Sequence, residues 1–449
     1  MIFSSDLAAL PRVSVHVRDG LMWAIFAVTY LGMALGRMPW LVIDRTGIAL
    51  LGGIAMLVVG GVTFPQAIAH IDFETLALLF GLMVFSGQLR AAGFYDVVGR
   101  RLTAHAQHPK RLLAGVIGVS AVVSALLAND IVCLAFTPLI CTSLLKARRD
   151  PIPYLVALAT ASNIGSAATV IGNPQNMYIG TVARLPFGHF TALMTPPVLV
   201  GLGVCWIAIA LIFHRRLHWN GQELSGEDAS VGECYFPNSP LNLQPAAGAG
   251  ARLAAYDGIL IAKTLILLAM LIVCFLFARG QWRAVAALAG AGVLLLSTRA
   301  KAAALHERVD WSLMLLFIGL FIVNGAMQQH GLIQRVFQAF ASHGLALGRP
   351  ITLSGVTLLL SNIVSNVPAV LLLQPAVARA HDESLWYLLA LVSTLAGNLT
   401  LVGSIANLIV AESAAKLGVR LDLKTYCKVG VPVTIVTVAL GTWWMVARK

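Results

Sequence analysis

Asn129 and Asp130 stand side by side in the stretch 125–138, whose remaining residues are mostly apolar. An amide next to a carboxylate is expensive inside hydrocarbon. A helix break accounts for the pair, because freed backbone groups and polar side chains can then face a cavity. The alternative is a polar pair turned toward a neighbouring helix. The pattern returns in 351–378, where Ser361, Asn362, Ser365, Asn366 and Pro368 interrupt a second apolar block. Asn129 precedes Pro138 by nine positions, and Asn366 precedes Pro375 by nine. A lone carboxylate in such a place is a proton carrier, a cation ligand or a cap on free backbone N–H groups. Asp130 suits each role, whereas its counterpart Val367 suits none.

Two more stretches have polar centres. Ser162, Asn163, Thr169, Gly172, Asn173 and Asn176 lie in one, and Ser393, Thr400, Gly403, Ser404 and Asn407 in the other. Gly and Pro permit unwound backbone at membrane depth, and amides replace the bonds it loses. Half-helix N-termini offer N–H groups and a positive dipole end to an anion. Half-helix C-termini and unwound carbonyls coordinate a cation. The candidate binding residues are therefore Asn129, Asp130, Ser162, Asn163, Thr169, Gly172, Asn173, Ser365, Asn366, Thr400, Gly403, Ser404 and Asn407. Neither Lys nor Arg occurs in these segments. Dipoles, a coupling cation or a proton must balance a bound anion. Asp72, Glu74, Asp257, Lys263 and Glu412 fall near predicted span ends and read as interfacial.

The elements that hold these residues follow from composition. The 449 residues are 58% hydrophobic and 11% charged, against about 25% charged in soluble domains. The chain reads as an all-α polytopic protein of the cell (inner) membrane, with room for about ten spans. The net charge of +12 reflects Lys and Arg in cytoplasmic loops rather than a nucleic-acid partner. Cys133, Cys141, Cys205, Cys234, Cys274 and Cys427 are scattered and suit packing, not disulfides or metal. The first twenty residues include Asp6, Arg12, Arg18 and Asp19 without an apolar core, so no cleaved signal peptide is expected. No Ser/His/Asp or metal-ligand constellation points to an enzyme, and no resident cofactor is expected.

Hydropathy places spans at 21–36, 48–64 and 73–88, then an apolar block at 113–145. Lys110, Arg111, Lys146, Arg148 and Arg149 flank that block on both sides. Both flanks are then cytoplasmic, and the block is a re-entrant hairpin; two full spans with a tight outer turn are the alternative. A broken helix at 154–183 and a span at 191–213 complete the first half. A polar cytoplasmic linker, 214–257, separates it from the second half, 258–449. There, spans at 259–278, 284–298 and 311–329 precede a hairpin at 351–378, a broken helix at 386–412 and a last span at 429–446. The halves match weakly: Phe80-Gly81-Leu82 with Ile318-Gly319-Leu320, Asn129 with Asn366, and Ser162, Thr169, Gly172 and Asn176 with Ser393, Thr400, Gly403 and Asn407. Five spans and one hairpin per half make the second half inverted. The sparse basic flanks of the second hairpin, Arg349 and Arg379, agree with entry from outside. Inverted repeats with broken helices are a signature of secondary transporters, here of small oxyanions or carboxylates coupled to protons or sodium. A channel or a membrane receptor is the rival class.

Leu127-Ala128-Asn129-Asp130 with Thr137-Pro138, the run 161–176 and Ser365-Asn366-Val367-Pro368 resemble the ion transporter superfamily. That group contains arsenite permeases, D-type sodium–proton antiporters, citrate transporters and divalent-anion/sodium symporters. The similarity covers nearly the whole chain and is nearest to the anion-permease branch beside the arsenite permeases. The resemblance implies an elevator-type homodimer with a scaffold and a moving transport domain. It also implies sodium sites where each tip meets a glycine loop, with Asn129, Asp130 and Gly172 as candidate sodium ligands. Ala128, Asp130 and Val367 depart from the symporters' Ser-Asn-Thr tips. The departure favours a single cation or proton site at Asp130. A sodium–proton antiporter or an arsenite/antimonite efflux permease is the alternative within this group.

Overall fold

The computed structural model describes residues 15–35, 43–59, 61–103, 108–217, 256–296 and 309–448. Most of the expected linker, 218–255, lies outside the described residues. The described residues form twenty α-helices and no strand. The first half contains α1 (Val15–Leu35), α2 (Arg45–Val58), α3 (Phe64–His70), α4 (Phe73–Ala91) and α5 (Phe94–Thr103). Then come α6 (Pro109–Leu126), α7 (Asn129–Lys146), α8 (Ile152–Ser166), α9 (Pro174–Val182), α10 (Phe187–Ile212) and the single turn α11 (His214–Leu217). The second half contains α12 (Gly258–Phe277), α13 (Trp282–Leu296), α14 (Trp311–Gln329), α15 (Leu332–Ser342), α16 (Pro350–Val364), α17 (Asn366–Arg379), α18 (Glu383–Ala396), α19 (Ile405–Ala415) and α20 (Leu423–Ala447).

Six of these helices are long and apolar enough to cross a membrane, or seven when α3 and α4, bent by 55°, count as one span. Apolar side chains point outward along them, among them Leu211, Ile259 and Phe277 at 72%, 84% and 80% exposure. Hydrocarbon, not water, is the solvent that such a surface needs. The chain is a multi-pass, all-α membrane protein.

Local sequence sets the breaks. Pro109, Pro174 and Pro350 open α6, α9 and α16, where a missing N–H costs nothing. The Asn173 side chain accepts from the Asn176 N–H and caps α9. Between α6 and α7 the non-helical residues are Leu127 and Ala128. Asn129 and Asp130 therefore begin the outgoing arm and do not form the bend itself. Ser365 alone separates α16 from α17, with φ 79° and ψ 161°. Residues 167–173 part α8 from α9, and 397–404 part α18 from α19. The arms of the first apolar block have 18 residues each, about 27 Å at 1.5 Å per residue. Those of the second have 15 and 14, about 22 Å, too short to cross roughly 30 Å of hydrocarbon.

Two compact units are present. One contains α1–α3, nearly all of α14, and α15. Within it Gly319 backs onto α2, where a Cβ would stand 2.4 Å from the Ala49 carbonyl oxygen, and Gly52 faces the Val323 side chain. The other unit holds the remaining helices. Within it Gly81 backs onto α13, where a Cβ would stand 2.9 Å from the Ala287 carbonyl oxygen, and Gly290 faces Phe85. The pairs Gly81 and Gly319, Ala49 and Ala287, Gly52 and Gly290, and Phe85 and Val323 are all 238 positions apart. Each unit thus contains one crossing between a helix of the first half and a helix of the second, with the same small-residue seam.

Candidate functional site

The four irregular segments meet inside the larger unit, and Asn163, on α8, is the hub of three of them. Its Nδ2 donates to Asn398 Oδ1 at 2.9 Å and to Asn407 Oδ1 at 3.1 Å. Its Oδ1 accepts from Asn129 Nδ2 at 3.1 Å and from Ser404 Oγ at 3.2 Å. Both donors and both lone pairs of this amide are spent. One buried side chain therefore ties together the first hairpin, the first broken helix and the second broken helix.

Thr394 does the matching work from α18. It receives Asn173 Nδ2 at 3.2 Å and Gln175 Nε2 at 3.3 Å, and its hydroxyl lies 3.4 Å from Asn176 Oδ1. Thr394 is 231 positions after Asn163, Ser404 is 231 after Asn173, and Asn407 is 231 after Asn176. The cross-links Asn163–Asn407 and Asn163–Ser404 are thus mirrored by Thr394–Asn176 and Thr394–Asn173, with the halves exchanged. The internal bonds agree. Asn176 Nδ2 donates to the carbonyls of Ser166 and Thr169, while Asn407 Nδ2 donates to those of Gly397 and Thr400.

The threonines hold the hairpins to the loops. Thr169 Oγ1 donates to the Ala125 carbonyl at the end of α6. Thr400 Oγ1 donates at 3.3 Å to Asn362 Oδ1, whose Nδ2 reaches the Ala396 carbonyl at 2.9 Å. Gly172 and Gly403 have no room for a side chain. A Cβ at 172 would stand 2.2 Å from the Ser166 carbonyl oxygen, and one at 403 would stand 2.5 Å from Asn362 Oδ1. Ser162 lies beside the hub, donating to the Ala159 carbonyl and contacting Cys133 Sγ at 3.1 Å.

Several oxygens remain unspent. Asp130, half-buried, makes no hydrogen bond or ion pair among the described residues; Asp310 lies within Coulombic reach of it. Asn129 gives only its Nδ2 to the hub. Asn366 Oδ1 is buried with no partner, and Ser365 makes no side-chain bond at the second tip. The helices α7, α9, α17 and α19 all start here, so four N-termini bring positive dipole ends to one place. Among the described residues no Lys or Arg bonds to this network.

The structure brings all thirteen candidate residues to this region, but in different capacities. Asn129, Asp130, Ser365 and Asn366 keep free acceptors. Asn163, Asn173, Asn407, Thr169 and Thr400 are occupied in holding segments together. Asn176, Thr394, Asn362, Gln175 and Asn398 also belong to the network without having been singled out as site residues. The repeat spacing marks Asn176 and Thr394, as partners of Asn407 and Asn163. Asn398 carries no such signal, because position 167 is Ala.

A family model described as Citrate transporter matches residues 21–396. The silicon efflux transporter LSI3 of Oryza sativa subsp. japonica is 30% identical, over 97% of this chain and 98% of its own. The putative transporter arsB of Dictyostelium discoideum is 27% identical, over 89% of this chain and 86% of its own. The crystal structure of the Alcanivorax borkumensis YdaH transporter aligns with a TM-score of 0.50 at 15% identity, over 96% of each chain, and shares the fold. With the family model matched over residues 21–396 and its helices laid out as above, the chain belongs to the citrate transporter family of multi-pass membrane transporters.

Proposed function

We propose that the protein carries a small anion, an oxyanion or a carboxylate, by secondary active transport, with Asp130 as the coupling carboxylate. One observation carries the reading: the exchanged cross-links between α8–α9 and α18–α19, closed by both hairpins. A pseudo-two-fold arrangement of two halves produces such an exchange, and alternating access needs a site that is bistable between two sides. The seams at Gly81–Ala287 and Gly319–Ala49 support the same relation between the halves. All four irregular segments lie in one compact unit, as the carrier body of an elevator requires. The halves are then inverted, the first hairpin entering from the cytoplasm and the second from outside. A homodimer supplies the fixed scaffold, and a proton or sodium ion at Asp130 supplies the drive.

The test is uptake and counterflow in proteoliposomes, with citrate, arsenate and sulfate each offered under imposed proton or sodium gradients. Accumulation that follows one gradient, with counterflow when that gradient is absent, is the expected result. Flux that saturates with neither substrate nor gradient describes a channel and ends the proposal. Topology is checked separately. A cysteine at His108 is labelled only from the cytoplasm, and one at Gly348 only from outside. Labelling of both from one side would remove the inversion.

A second reading has its own support. The free groups at the tips are acceptors without a basic partner, and an undissociated oxyacid presents only O–H donors and neutral oxygens. Efflux of such a metalloid acid, as the name of the rice relative suggests for silicon and as an arsenite permease performs, fits that chemistry. Uptake that falls as the acid ionises distinguishes it from anion transport.

A further inference from the structure

Outside the central network, a cleft opens between α5 and α6. Its volume is about 440 Å3, and Val98, Leu102, Leu112, Gly115 and Val119 line it together with the exposed Arg101 and Arg111. That volume falls among ordinary ligand pockets, about 300–1,000 Å3. We propose that this cleft binds an anionic phospholipid of the inner leaflet, phosphate at the two arginines and acyl chain along α6.

The sequence builds the cleft. In Phe94-Tyr95-Asp96-Val97-Val98-Gly99-Arg100-Arg101-Leu102 the apolar residues fall on one side of α5, as in a helix that lies along a membrane surface. One edge of that side is filled by α7: Tyr95 meets Phe136 with ring centroids 5.6 Å apart, and Gly99 faces Leu139. Val98 and Leu102 form the other edge and stay in the cleft. On α6, Gly115 leaves room that only the end of Leu102 approaches, and Gly118 has nothing within 4 Å of a Cβ. Glycines at these two positions keep a groove open along the helix. Val122, one turn further, is 61% exposed, so the groove runs out into hydrocarbon.

The charge is matched to one kind of lipid. Arg100, Arg101, Lys110 and Arg111 are all exposed at this end. A polar headgroup without net charge would not need them. The corresponding positions of α15, 238 residues on from Arg100 and Arg101, are Gln338 and Ala339. Arg100, Arg101 and Lys110 therefore have no basic counterpart in the second repeat, whereas Arg111 has one in Arg349. Basic pockets beside transmembrane helices on the cytoplasmic side recognise anionic headgroups. Arg100 and Arg101 lie near the end of α5, and Lys110 and Arg111 in the first turn of α6, the entry arm of the first hairpin. A lipid wedged there touches the element that carries Asp130 through its partner arm.

The experiment uses the full-length protein in nanodiscs of phosphatidylglycerol and phosphatidylcholine, with retained lipid counted by native mass spectrometry after detergent release. Wild type should retain phosphatidylglycerol preferentially. The double variant Arg101→Gln with Arg111→Gln should lower that preference about thirtyfold, equivalent to about 2 kcal/mol at about 1.4 kcal/mol per factor of ten. Val119→Trp, which fills the cleft and keeps every charge, should lower it as well. Thermal melting of each variant confirms that it folds. Retention unchanged in the arginine variant overturns the proposal. Retention unchanged in Val119→Trp also overturns it, because surface charge alone would then hold the lipid. Glycerol phosphate that displaces phosphatidylglycerol from wild type would assign the arginines to a soluble phosphate and overturn it too. None of these readouts depends on transport, so a wrong substrate assignment leaves them unaffected.

Discussion

The two hairpin tips share a plan and differ in what each leaves unfinished. At the first tip, Ala128 has ordinary backbone, φ −56° and ψ 124°. At the second, its counterpart Ser365 sits at φ 79° and ψ 161°, a region almost confined to glycine. The first tip ends in Asn129, bound to the hub, and Asp130, a carboxylate without a hydrogen-bond partner. The second ends in Asn366, whose oxygen is buried and unpartnered, and in apolar Val367. One tip holds its asymmetry as a carboxyl group on relaxed backbone, the other as strain and an unmet acceptor. Two tips with equal roles would not diverge in this way. Under the proposed function, coupling falls to the first tip and ligand contact to the second.

The largest effect that separates the halves is expected at the loop glycines. A Cβ at 172 meets a backbone carbonyl, Ser166, whose oxygen also accepts from Asn173 and Asn176. A Cβ at 403 meets a side chain, Asn362, which can move away at the loss of its bonds with Thr400 and the Ala396 carbonyl. Gly172→Ala should therefore abolish uptake and lower stability by about 3 kcal/mol, the upper end for overpacking, and Gly403→Ala by about 1 kcal/mol. Thermal melting and uptake of the two variants measure the gap. Equal losses would mean that the loops are equivalent.

Next in size is the separation of coupling from binding. Asp130→Asn keeps shape and one acceptor oxygen but cannot ionise. Its uptake should no longer respond to the proton or sodium gradient, while substrate exchange partly survives. Asn366→Ala should do the reverse, raising KM about three- to tenfold, the worth of one hydrogen bond, with the gradient response intact. Uptake against pH and sodium for both variants decides the matter. A gradient response retained by Asp130→Asn would make Asp130 a cap on the N-terminus of α7.

Much of this fold could be read without coordinates because the solvent is hydrocarbon. Apolar runs near 20 residues separated by basic loops leave little freedom, and α14 begins and ends where hydropathy places it. The bend of the first hairpin was less legible. Polarity draws the eye to Asn129-Asp130, yet the non-helical residues are Leu127 and Ala128, which have no chemical mark. The polar pair instead opens α7, where free N–H groups and the helix dipole favour a carboxylate. The site was legible where it repeats and hidden where it does not. Spacing identifies Gly172 with Gly403 and Asn176 with Asn407. It does not reveal that Asn163 is saturated, because saturation depends on four partners from two other segments. Asn398 was out of reach for the same reason, since its role exists only once α18 and α8 are side by side.

The smallest effect is the strain at the second tip. A non-glycine residue in this backbone region costs about 1–3 kcal/mol, and the Ser365 side chain makes no hydrogen bond that would offset it. Ser365→Gly should therefore raise stability by only about 1 kcal/mol, because the freedom that the glycine gains in the unfolded chain offsets part of the relieved strain. Ala128→Gly at the relaxed tip should lower it by several tenths of a kcal/mol, because only the unfolded-chain term remains. The two variants move in opposite directions if the tips differ as described. Strain at a moving element is useful when it brings two states close in energy, so Ser365→Gly should also slow exchange while it raises the melting temperature. Melting curves and counterflow rates of the two glycine variants give the answer. A stabilised Ser365→Gly that exchanges at the wild-type rate would leave the strain without a part in transport. A destabilised one would mean that the Ser365 hydroxyl binds something at the tip that the backbone cost is kept for.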